Sequence, residues 1–236
     1  HYVSKGYNVV WPVETIYKNL QNNITTEKNI IFPHRHDVYK MKNNYESLSR
    51  GQISEVTEFE DFIYVPLKRG YHSSYGREMQ KSYSSDECNM FAKFGMCDLD
   101  YSNWQDFFSI NRNYEKENIL KKTLGLSEKD DIHLVNKEFG TPPMWKCVLN
   151  RDIETPNSLK RVEMKVVKGF DLFDWIGIFE QAKKIDTVTT SNFYIFEKIH
   201  LKCIPTIYSK NNTHRTDEEN FGWKRKLASK EYKYVN

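Results

Sequence analysis

In the first half of the chain, apolar residues gather in short consecutive runs: NVVWPV at 8–13, NIIFP at 29–33 and DFIYVPL at 61–67. Runs apolar on successive residues predict strands buried on both faces, as in a parallel sheet. Each is followed by polar or charged residues: Glu14, then HRHD at 34–37, then KRGYH at 68–72. Such residues would line a cleft outside the carboxyl ends of the strands. Residues 73–112 show no clear period, apart from a short helix in SNWQDFFSI opened by Ser102.

From 113 onward the alternation is plainer. NYEKENILKKTLG predicts a helix ending near Gly125 that connects two lobes. Strands are predicted at 132–139, 161–167, 185–190 and 204–209, with helices at 172–182 and 192–201 between the later ones, a βαβαβ order. In the 172–182 helix Leu172, Trp175, Phe179 and Ala182 share a face, and Asp171 and Asp174 hold the N-cap and N3 positions. The pattern thus predicts an α/β chain of two Rossmann-like lobes, 1–112 and 113–236. The chain opens on His1, and its first residues read as a helix end, a Gly6 cap and a strand, so the N-terminal lobe is expected to lack its first strand.

Composition narrows the class. At 236 residues and 39% hydrophobic, the chain can fill one sizeable core or two modest ones. No run approaches the roughly 20 apolar residues of a membrane helix, so a soluble, cytoplasmic protein is expected. Cys88, Cys97, Cys147 and Cys203 are widely spaced, which suggests neither a zinc ribbon nor a disulfide framework. A net charge of +3 is too mild for a dedicated nucleic-acid binder, though Trp223, Lys224, Arg225 and Lys226 could offer a local basic and aromatic contact.

The chemistry-bearing candidates follow from this frame. Thr189, Thr190 and Ser191 end one predicted strand and open the next helix, where a phosphate could take hydroxyls and free N–H groups; the same residues also serve as ordinary helix caps. Asn136, Lys137 and Thr141 end another strand beside Gly140, with Lys137 as a point charge for phosphate. His34, His36, Asp37 and His72 are candidate general bases, and the same residues also suit a solvated turn. Asp98 and Asp100 have the Asp-x-Asp spacing of a metal-dependent transferase, the rival mechanism.

The stretches LVNKEFGTP, VEMKVVKGFDLFDWIGIFEQAKKIDTVTTSNFYIFEKIHLK and PTIYSKNN resemble the C-terminal lobe of GT-B-fold glycosyltransferases, in particular heptosyltransferase-like and related viral and bacterial proteins. The resemblance covers about half the chain. It implies that Thr189, Thr190 and Ser191 contact the donor diphosphate, that Asn136, Lys137 and Thr141 line the same pocket, and that Asp174 and Trp175 approach the base or ribose. It also implies a nucleotide-sugar co-substrate, no metal or other cofactor, and a base on the N-terminal lobe. The acceptor would be a hydroxyl of a glycan, a protein or a hydroxymethylated DNA base. The Asp-x-Gly-Pro-x-His run of the better known heptosyltransferases is replaced here by Thr189-Thr190-Ser191-Asn192-Phe193-Tyr194, which leaves the donor open.

Overall fold

The computed structural model describes residues 6–10, 30–31, 56–58, 63–65, 93–107, 109–141, 145–210 and 216–236. The chain divides into two compact units, His1–Phe107 and Phe108–Asn236.

In the first unit, β1 (Val9–Val10) and β2 (Ile30–Ile31) pair in parallel, Val9 opposite Ile30 and Val10 opposite Ile31. The third apolar run departs from the expected parallel sheet. Its strand β4 (Ile63–Tyr64) pairs antiparallel with β3 (Thr57–Glu58). An apolar run records burial but not the direction of its partner, and the short span between Glu58 and Ile63 suits a hairpin. The short helix predicted in SNWQDFFSI is a 3-10 helix, Tyr101–Phe107, and it is entered through Asp100 rather than Ser102: the Asp100 carboxylate accepts from the Ser102 N–H at 2.9 Å and the Ser102 hydroxyl at 2.6 Å.

The second unit opens with α1 (Tyr114–Thr123). Asn113 caps it by accepting from the Lys116 N–H at 3.0 Å. It stops at Gly125, at φ +66°, where Leu126 N–H bonds Lys121 O at 2.9 Å and Gly125 N–H bonds Lys122 O at 3.0 Å. This paired closure needs a left-handed residue, which glycine adopts without strain.

Five parallel strands follow: β5 (Ile132–Asn136), β8 (Lys160–Glu163), β9 (Lys184–Val188), β10 (Thr206–Tyr208) and β11 (Lys233–Val235), in spatial order β8-β5-β9-β10-β11. Numbered by appearance within the sheet, the order is 2-1-3-4-5, one of the two common doubly wound arrangements. β5 is paired on both edges and buried along its length, including its two polar residues, His133 and Asn136. The expected strand 132–139 breaks at Lys137, because Asn136 Oδ1 turns back to accept from the Glu138 N–H at 3.2 Å. Beyond it β6 (Glu138–Thr141) forms an antiparallel hairpin with β7 (Trp145–Val148).

Three helices link the later strands: α2 (Ile176–Gln181), α3 (Asn192–Lys198) and α4 (Asp217–Leu227). Right-handed crossovers put all three on one sheet face. The β5-to-β8 connection runs the other way and covers the opposite face, where Val135, Leu149, Ile153 and Val188 form a buried cluster with Phe139 and Tyr208. A 3-10 turn, Phe173–Trp175, leads into α2 and carries the expected reciprocal cap: Asp171 accepts from Phe173 N–H at 2.9 Å, and Asp174 accepts from Asp171 N–H at 2.7 Å.

Every residue from Phe173 to Phe179 is buried, so α2 is enclosed on all sides, beyond the one-sided stripe its sequence suggests. Gly177 makes this closeness workable. A Cβ there would lie 2.9 Å from Glu117 Oε2 on α1, a carboxylate locked by a two-pronged bond from Arg112 at 2.9 and 2.6 Å. Arg112 also reaches Glu180 on the far side of Gly177, at 2.8 Å. Gly177→Ala is therefore expected to lower stability by roughly 1 kcal/mol in a denaturant titration, since the overpacking cost exceeds the helix-propensity gain of alanine.

α3 ends at Lys198, earlier than the predicted 201. The Lys230 ammonium takes the carbonyls of Phe196 and Ile199, and Ile199 is already extended. Glu197 then ties the helix to the last strand by accepting from Ser229 N–H at 2.7 Å, Ser229 Oγ at 2.6 Å and the Tyr232 hydroxyl at 2.5 Å.

Candidate functional site

The chain of the second unit leaves β5 toward β8, then returns across β5 to β9 and continues outward. Ligands of open α/β sheets bind outside the carboxyl ends of the two strands flanking such a reversal. Here those strands end at Asn136 and Val188. Asn136, Lys137, Thr189, Thr190 and Ser191, chosen from two distant stretches of sequence, thus meet at one edge of the sheet.

A buried amide and hydroxyl cluster forms its floor. Asn136 Nδ2 donates to Thr187 Oγ1 at 3.1 Å, and Asn192 Nδ2 approaches the same oxygen at 3.4 Å. The Thr187 hydroxyl donates to the Val188 carbonyl at 3.0 Å. Asn136 spends one Nδ2 proton on Thr187 and its Oδ1 on the Glu138 N–H, which fixes its side chain at the edge. Lys137 is half-buried, and no carboxylate among the described residues pairs with it. Of Thr141, only the backbone is described, at the end of β6.

The hydroxyl trio behaves differently from ordinary capping residues. Ser191 stands in helical conformation (φ −64°, ψ −12°) and its exposed side chain makes no capping bond. Thr190 Oγ1 accepts from Asn192 N–H only at 3.5 Å, the outer limit of such a bond. Thr189 is 9% exposed; its N–H donates to Tyr208 O at 2.8 Å, but its Oγ1 has no hydrogen-bond partner among the described residues. A buried hydroxyl left unpaired costs about 1–3 kcal/mol.

Other candidates are placed elsewhere. Asp174 is 3% exposed and spoken for: it receives Asp171 N–H and an ion pair from Lys116 Nζ at 2.7 Å that joins α1 to the start of α2. Trp175, 2% exposed, belongs to the core. His34, His36, Asp37 and His72 lie outside the described residues. Asp98 adopts a left-handed backbone at φ 55°, and Asp100 is turned onto Ser102, whose hydrogen bonds hold its carboxyl below the usual range. Among the described residues no three His, Cys, Asp or Glu side chains gather to hold a metal ion, and no helix is long and apolar enough to cross a membrane.

The basic C-terminal run is not one continuous solvated face. Arg225 is exposed but bonded to Asp217 at 2.5 Å and stacked 4.8 Å over the Tyr234 ring, and Lys226 is exposed. Lys224, by contrast, is 3% exposed. Burial, with like-charge repulsion from Lys210, pushes its ammonium down to about 7. A base whose folded value is depressed destabilises the fold while it must carry its charge. The penalty is complete below about pH 7 and fades as pH rises toward the ordinary 10.5. Lys224→Met should accordingly be more stable than the parent chain at pH 7, with a gap that narrows by pH 10, measured by denaturant titrations of both at each pH.

On the opposite sheet face lies a second polar assembly that the sequence did not flag. Arg161 Nη1 donates to Thr155 Oγ1 at 3.1 Å, and that hydroxyl stands 2.8 Å from His133 Nδ1. His133 Nε2 meets Asp186 Oδ2 at 2.6 Å, and Asp186 also receives Lys184 Nζ at 2.9 Å and the Tyr208 hydroxyl at 3.1 Å. With Arg161 donating, the Thr155 hydroxyl proton points to Nδ1, so a neutral imidazole keeps its proton on Nε2 for Asp186. These bonds are mutually satisfied, which marks the assembly as a clamp between β5 and β9.

Of the groups at the β9 edge, sequence reading missed Thr187 and Asn192 and misread Lys224. The available signal for Lys224 was its place between Phe221 and Leu227 on the buried stripe of α4. Compared with known proteins, the chain matches no family model, no curated protein and no solved structure. The fold therefore defines the chain only as an α/β protein with a five-stranded parallel sheet of Rossmann-like order.

Proposed function

We propose that the second unit binds the diphosphate of a nucleotide-sugar at the carboxyl edge of β5 and β9, and that the protein is a glycosyltransferase moving the sugar to a hydroxyl acceptor. The observation that carries the reading is the unpartnered Thr189 hydroxyl at the reversal point of a 2-1-3-4-5 sheet. Supporting it, the Ser191 side chain is not used as a cap, and Lys137 follows Asn136 at the end of β5 with no carboxylate partner among the described residues. In sugar transfer the departing diphosphate gains negative charge as the glycosidic bond breaks. Fixed hydroxyl donors and an ammonium stabilise that charge more in the transition state than in the bound donor. The resemblance to GT-B enzymes supplies the sugar; the site geometry supports the phosphate.

The test is calorimetric titration with UDP, GDP, ADP and CMP, with and without EDTA, on the parent chain and on Thr190→Ala/Ser191→Ala. Selective binding of one nucleotide that survives EDTA and weakens in the double variant is the expected result, after which the matching nucleotide-sugars are assayed for transfer. A folded chain that binds none of them would overturn the proposal.

A further inference from the structure

The least explained charge in the described residues is Lys224. It is 3% exposed, and among the described residues neither a carboxylate nor a hydrogen-bond acceptor meets its ammonium, which lies 5.1 Å from the Trp223 ring centroid and 5.9 Å from that of Phe193. Ring faces offset only part of the cost of removing an ammonium from water. Lys210 adds like-charge repulsion and no attraction. A buried ammonium without an acceptor is an arrangement that an anion would complete.

Its position points to which anion. Helical side chains lean toward the N-terminus of their helix. The first half of α4 stands at the carboxyl edge of the sheet, because Asn220 Nδ2 donates to Asn236 Oδ1 at 2.5 Å just past β11. Lys224, one turn further along, therefore reaches back toward that edge. Phe193, beneath its ammonium, is the second residue of α3 and bonds through its N–H to the Thr190 carbonyl at 3.4 Å. Extending the side-chain alternation past Val188 puts the unpartnered Thr189 hydroxyl on the helix-covered face, the side from which Lys224 approaches.

We propose that Lys224 is the principal charge binding the phosphate oxygens of the ligand, with the Thr189 hydroxyl donating to the same group. This rests on the carboxyl edge of β9 being a phosphate site, and extends it by a residue on the far helix. The ligand class is a diphosphate ester, held by a buried cation over aromatic rings rather than by a divalent metal.

Inorganic pyrophosphate is the probe, since it carries the recognised group without a base or sugar. Calorimetric titration compares the parent chain with Lys224→Met, Lys224→Gln and, as an exposed control on the same helix, Lys226→Met. The expected result is a loss of roughly 10- to 100-fold in affinity for both Lys224 variants, the worth of one charge-assisted bond, with Lys226→Met close to the parent. Parent binding that persists unchanged in the Lys224 variants would overturn this inference and leave the phosphate reading intact. Absence of binding by the parent chain would overturn both. Unfolding of Lys224→Met would also contradict it, because removal of an unpaired buried charge should stabilise the ligand-free fold.

Discussion

Asp186→Ala is expected to lower stability by roughly 3–5 kcal/mol, the cost of removing one partner from a buried charged assembly. Asp186 is 1% exposed and accepts from His133, Lys184 and Tyr208, and His133 is wholly buried beside it. Its loss would leave an imidazole N–H, a lysine and a phenol without their acceptor. The acid limb of the stability curve gives a second readout. Asp186 is held below its ordinary 3.8 by the Lys184 and His133 bonds, which outweigh burial, so its contribution is present above that pH and is lost as pH falls through its folded value. His133, depressed below 6.5 mainly by burial, takes a proton more readily unfolded than folded, so stability also declines as pH drops from about 6.5. Both effects act in the same direction. Denaturant titrations of the parent and Asp186→Ala should show the gap between them widening as pH falls from about 6.5, because His133 in the variant has lost the carboxylate that favours its proton, and narrowing only below 3.8, where Asp186 itself takes up a proton.

Phe196→Ala should be comparably severe, about 3–5 kcal/mol, for a different reason. Phe196 is fully buried on α3 and meets Phe179 of α2 edge-on, with ring centroids 5.1 Å apart and planes at 89°. The two rings join the helices that flank β9, so the truncation opens a cavity behind the hydroxyl edge and removes an aromatic pair. Thermal or denaturant unfolding measures the loss. An effect below about 1 kcal/mol would mean that the helices repack around the vacancy.

How far the molecule could be read from its sequence depended on the local physics of each segment. β5 and β9 were legible from their β-branched and aliphatic residues, Ile132, Leu134 and Val135 in one and Ile185, Thr187 and Val188 in the other, although His133, Asn136 and Asp186 interrupt the apolar pattern. The start of α2 was legible because Asp171 and Asp174 sit at the spacing of a reciprocal cap. The β6–β7 hairpin was not, since Trp145-Lys146-Cys147-Val148 has no strong alternation and its partner is chosen by the turn at Lys137. β11 escaped notice because Lys233-Tyr234-Val235 is too short to show a period. The antiparallel pairing of β4 escaped because a strand's own residues do not say which way its neighbour runs. At the candidate site, the hydroxyl trio was visible as a strand end meeting a helix start. Lys224 was read as part of a basic run, because charge type was weighed before its place on the buried stripe of α4.

The central claim is that the carboxyl edge of β9 holds a phosphate, and the most direct measurement is Thr189→Val in two assays on one preparation. Valine keeps the shape and removes a buried hydroxyl that has no partner in the ligand-free fold. The account predicts opposite movements: ligand-free stability rises by roughly 1 kcal/mol in a denaturant titration, while calorimetric affinity for the nucleoside diphosphate that binds the parent chain falls about tenfold. Stability that falls together with unchanged nucleotide affinity would contradict it, and would make Thr189 a structural hydroxyl.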